Sequence, residues 1–80
     1  MKLFINDYQT HYDVIVHERD DPTHLYEWCQ STGIHGQWEK AQYFGIEKVS
    51  YYPKYMKMFV VYFNRIDRDT MLMIKLGLQA

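Results

Sequence analysis

Four histidines (His11, His17, His24 and His35) and one cysteine, Cys29, are the side chains here with the chemistry to ligate a metal or to pair as nucleophile and base. They do not assemble into a ligand set such as C-x₂₋₄-C joined to H-x₃₋₅-H, the spacing that brings donors together on one turn or helix face. Scattered surface histidines are the simpler account, and no metal site is assigned. Cys29 follows Trp28 on the apolar side of an expected helix, where a cysteine acts as a small buried hydrophobe rather than a nucleophile. Asp20, Asp21, Asp67 and Asp69 stand where helices should begin and are accounted for by capping and the helix dipole. The glycines form neither G-x-G-x-x-G nor G-x-x-x-x-G-K, so no phosphate cradle or cofactor is expected. With no catalytic residue to name, the chain reads as a non-enzyme.

One cluster passes this filter. Between Lys48 and Lys57, three lysines (Lys48, Lys54, Lys57) are interleaved with three tyrosines (Tyr51, Tyr52, Tyr55) around Pro53. Aromatic rings on an open sheet face can stack unpaired bases while lysines track phosphates. Tyrosine and methionine are equally what protein interfaces prefer, with lysine at the rim, and an ordinary solvated hairpin would carry the same residues. Tyr51, Tyr52, Lys54, Tyr55 and Lys57 are the expected contact residues, with Trp38 as the second candidate.

An 80-residue chain makes a single domain spanning 1–80, and a domain of that size buries only about 60% of the surface its unfolded chain exposes. The tyrosines, Trp28, Trp38, Phe4, Phe44, Phe59 and Phe63 exceed what so small a core can enclose, since each ring buries about 150–250 Å². Some must lie at the surface or in an interface, including that of a homodimer. The formal net charge of −1 disfavours a long contact with nucleic acid. A lone cysteine suits a reducing cytoplasm, and no apolar run approaches the ~18 residues of a membrane span.

These side chains must be carried by elements that the pattern locates. Lys2 to Ile5 and Tyr12 to His17 are short strands, the second alternating Tyr12, Val14, Val16 against Asp13, Ile15, His17. Asp21-Pro22 opens a helix that turns Leu25, Trp28 and Cys29 inward and stops at Gly33. Residues 34–45 show no clean period and read as an irregular loop. Glu47 to Tyr52 and Tyr55 to Phe63 are expected to pair as a hairpin around Pro53-Lys54, the second strand being central because both its faces are apolar. A second helix starts near Asn64 or Asp67 and ends at Gly77. The resulting β(β)αββα order predicts an α+β fold: a small antiparallel sheet with two helices on one face, of ferredoxin-like or split-βαβ type. Leu25, Trp28, Val60, Ile74 and Leu76 are its expected core.

The tail, from Tyr62-Phe63 through the acidic cap to Lys75-Leu76, resembles the ending of short uncharacterised proteins of tailed bacteriophages, in which an apolar strand, an acidic cap and a Phe-Lys-Leu helix follow one another. Here Thr70-Met71 stands for an Asp-Ala pair, Ile74 for the phenylalanine and Leu78 for a closing aromatic. The resemblance implies a viral accessory protein of the host cytoplasm that binds and modulates a host or viral macromolecule, and it carries no catalytic residue. A single-stranded RNA-binding module using the Lys48 to Lys57 hairpin, or a structural part of the virion, are the alternatives.

Overall fold

Short runs rich in branched and aromatic side chains build the first two strands of the computed structural model, which describes residues 1–19, 21–43 and 56–78. β1 (Lys2–Asp7) and β2 (Tyr12–Arg19) pair antiparallel, with Leu3 opposite Val16 and Ile5 opposite Val14. Asp7 shapes the turn between them: its carboxylate accepts the Gln9 amide at 2.7 Å, and Gln9 takes a left-handed φ of 69°.

α1 (Thr23–Thr32) starts one residue after Pro22, whose carbonyl accepts the Tyr26 amide at 2.9 Å. The Asp21 carboxylate accepts both the hydroxyl and the amide of Thr23, and these bonds hold it below the usual carboxylate range. Gly33 ends the helix as expected, at φ 72°, donating its amide to the Cys29 carbonyl at 3.0 Å.

The next segment corrects the sequence reading. Residues 37–43 are not an irregular loop but β3 (Gln37–Tyr43), antiparallel to β4 (Met56–Ile66) from Gln37 opposite Tyr62 to Tyr43 opposite Met56. Its apolar content is low, and among the described residues it is the last strand in the order β1-β2-β4-β3, paired with β4. β4 is central, as its two apolar faces implied, with β2 on one side and β3 on the other. The strand expected at 47–52 and its turn at Pro53-Lys54 lie outside the described residues. Among the described residues the strands make one four-stranded antiparallel sheet, in which β2 and β3 run in the same direction with β4 between them.

β4 extends three residues beyond the expected Phe63, through a bulge. Tyr12 faces Ile66 and Val14 faces Phe63, so Asn64 and Arg65 together oppose Asp13. Arg65 takes φ 54°, and its amide donates to the Asp13 carboxylate at 2.9 Å. Asp67 then caps α2 (Arg68–Leu78), accepting the Thr70 amide at 2.7 Å.

Both helices pack on one face of the sheet. Val14, Val16, Val61 and Phe63 meet Leu25 and Cys29 from α1 and Met71, Ile74 and Leu78 from α2. Trp28 is only half-buried, lying against Gly77, where an added Cβ would sit 2.5 Å from its indole nitrogen. Gly77 is thus a point of close helix approach inside α2, not its stop signal. Leu76 corrects the expected core more sharply: it is 77% exposed. It lies two residues from both Ile74 and Leu78, about 200° around the helix from each, and therefore points outward. Val60 is fully buried, but with Met58 on the other face of the sheet, beside Ile15 and Tyr62. No described helix is long and apolar enough to cross a membrane.

Candidate functional site

The seam between α1 and β3 brings together two of the exposed aromatic side chains, Tyr26 and Trp38. Tyr26, Cys29 and Gln30 recur at i, i+3 and i+4, so α1 turns all three toward β3. The left-handed residue Gly33 reverses the chain, and Ile34, His35 and Gly36 return it to the sheet. β3 lies with Trp38 opposite Val61 and Lys40 opposite Phe59, which puts Trp38 and Lys40 on the helix-covered side.

Tyr26 and Trp38 meet there with ring centroids 5.2 Å apart and planes inclined at 49°, yet they remain 51% and 37% exposed. Each ring is in contact with the other and remains partly open to solvent. The pair is a shared wall of two clefts. The first, of about 320 Å³, runs beneath Ile34, His35 and Gly36 to the sulfur-bearing face of α1 at Cys29. The second, of about 300 Å³, lies between Pro22, Lys40 and Phe59. Its floor is apolar, and the Lys40 ammonium sits 5.8 Å from the centroid of the Phe59 ring.

Two polar candidates from the sequence meet in the first cleft without forming a nucleophilic pair. Burial pushes the Cys29 thiol up, away from the thiolate that attack would require. That supports cysteine as a core residue, as its position after Trp28 implied. Among the described residues, no group of three His, Cys, Asp or Glu side chains is arranged to hold a metal ion. On the opposite face of the sheet, His17 stacks at an incline on Phe4, centroids 4.9 Å apart, and burial lowers its pKa. Tyr62 is raised there, first by desolvation and then by the neighbouring Glu39 carboxylate, to which its hydroxyl donates.

Of the residues expected from sequence to make contact, Trp38 stands on this seam. Lys57 is in β4 opposite Gln42, and Tyr51, Tyr52, Lys54 and Tyr55 lie outside the described residues. Tyr26, Lys40 and Phe59 were missed. Two signals could have found them: Tyr26 shares the helical period of Cys29 and Gln30, and Trp38 and Lys40 share a period of two.

No protein-family model, curated protein or solved structure matches this chain. The reading of the seam therefore rests on its own geometry.

Proposed function

We propose that this chain is a small non-enzymatic binding module that engages a partner protein through the aromatic groove between α1 and β3. The observation that carries the reading is the Tyr26–Trp38 pair: two large rings in mutual contact, both partly exposed, dividing two concave surfaces. Rings held rigid by each other lose little conformational freedom on binding, and tyrosine and tryptophan dominate interface energetics for that reason. The strand order and the same-direction β2 and β3 fit a split-βαβ, ferredoxin-like architecture. With the phage-like tail, the picture is an accessory protein acting on a host or viral macromolecule in the host cytoplasm.

The test compares retention of proteins from a host lysate by the parent chain and by the Tyr26→Ala, Trp38→Ala double variant. A protein held by the parent should be lost from the variant, since a groove-centre aromatic is worth about 2 kcal/mol or more, roughly thirtyfold in affinity. Equal retention by a variant that is still folded overturns the reading. Single-stranded nucleic acid is the second reading, favoured by the juxtaposition of Trp38, Phe59 and Lys40. It predicts a steep loss of binding with added salt, whereas an apolar protein contact is far less sensitive.

A further inference from the structure

The cleft between Pro22, Tyr26, Trp38, Lys40 and Phe59 has an uneven charge distribution on its walls. Its apolar surfaces are interrupted by one ammonium, that of Lys40, whose partner among the described residues is the face of the Phe59 ring. Among the described residues, the carboxylates nearest in sequence and register are committed elsewhere. Glu39 also borders the cleft, but alternation sends its side chain to the other face of the sheet, where it accepts the Tyr62 hydroxyl. Glu18, opposite Phe59 in register, binds the Arg19 amide and lies 3.9 Å from the terminal ammonium of Met1. Asp21 is turned into the first turn of α1 by Thr23.

Resting on the groove reading above, we infer that the occupant of this cleft is an apolar segment of a partner protein carrying a carboxylate that meets Lys40. A ring holds an ammonium weakly and does not neutralise it, so Lys40 keeps its attraction for an anion while its position is set by Phe59. A single carboxylate next to an apolar side chain can reach it between Tyr26 and Trp38. A polyanion fits less well, because the described walls of the cleft offer it the single ammonium of Lys40 amid apolar surface, and the chain carries a formal net charge of −1. Charge complementarity thus selects the class of partner, and the rings supply the apolar contact.

A displayed library of random decapeptides, panned on the whole chain, tests this. The enriched peptides should combine Asp or Glu with Leu, Phe or Trp within a few positions, and should lose binding to the Trp38→Ala variant. For a peptide so selected, followed by fluorescence anisotropy, Lys40→Glu should weaken binding by about tenfold or more and Lys40→Arg should retain it. Changing the acid of that peptide to lysine should restore binding to the Lys40→Glu protein. Circular dichroism of each variant confirms that it is folded before binding is read. Trp38-dependent peptides that lack acids and ignore Lys40→Glu would overturn the inference and leave the groove reading intact. Peptides indifferent to Trp38→Ala, or displaced by oligothymidylate in preference to one another, would overturn both.

Discussion

Gly36 sits where the connection from α1 enters the sheet, and replacing it with alanine tests how tightly that entry is packed. A Cβ there would overlap the Val61 Cγ1 methyl and approach Phe63 Cε1 at 3.0 Å and Cδ1 at 3.2 Å. Val61 is 0% exposed and Phe63 1%, both on the central strand with neighbours on each side, so neither can retreat without disturbing the core. Overpacking of this kind costs about 1–3 kcal/mol. For a domain of this length, 2 kcal/mol corresponds to a fall of roughly 8–16 °C in Tm. Gly33→Ala is the control, since nothing lies within 4 Å of its Cβ and its φ is 72°. Its cost, about 1–2 kcal/mol, comes from the left-handed backbone alone. A double-mutant cycle by urea denaturation separates the two causes. Val61→Ala removes the overlapping methyl, so with Gly36→Ala it should cost less than the sum of the single changes by about 1 kcal/mol, and with Gly33→Ala it should simply add. If Gly36→Ala lies within about 0.5 kcal/mol of the parent, or adds to Val61→Ala, the packing argument is wrong.

Val60→Ala should destabilise by about 1–3 kcal/mol although no described helix packs on its face of the sheet, and the 58–63 amides should be among the slowest to exchange; fast exchange there would refute the central placement of β4. Leu76→Lys should leave stability within about 0.5 kcal/mol, because the side chain is 77% exposed; a larger loss measured by denaturation would mean that the outer face of α2 is covered in solution. Burial holds the His17 pKa below the ordinary imidazole value of 6.5, so the unfolded chain binds more protons in that range. Its contribution is full above 6.5 and falls as pH drops toward the folded value, and the decline in Tm on mild acidification should shrink in His17→Gln. Asp67 is held below its ordinary 3.8 by the Thr70 hydroxyl and amide, so its contribution is present above that value and lost as pH falls through the folded one. Asp67→Ala should therefore lower Tm at neutral pH and converge with the parent in strong acid, as thermal scans across pH would register.

Local signals were sufficient for β1, β2, α1 and α2. Alternation in 12–17, the left-handed stop at Gly33 and the acid before α2 are properties of a few adjacent residues, and steric and hydrogen-bonding rules act on them directly. The doubly apolar run around Val60 likewise announced a central strand, because a strand paired on both sides with buried side chains on both faces has few polar positions to spare.

What lay beyond reach depended on residues far apart in the chain. β3, last in the order of the described strands, was hidden because a stretch as polar as Gln37-Trp38-Glu39-Lys40 shows no apolar period, and its pairing is decided by β4, which lies across 44–55 in sequence. Leu76 could not be separated from Ile74 by type, only by which side of α2 the sheet occupies. The groove is the clearest case. Trp38 was noticed as an aromatic residue, but its contact with Tyr26 and the placing of Lys40 over Phe59 exist only once α1 crosses the sheet beside β3. Sequence alone thus determined β1, β2, β4 and the two helices, since these follow from nearest-neighbour chemistry. Tertiary structure decided which side chains share a surface, because that is settled by long-range pairing and packing, whose free energy depends on the whole core at once.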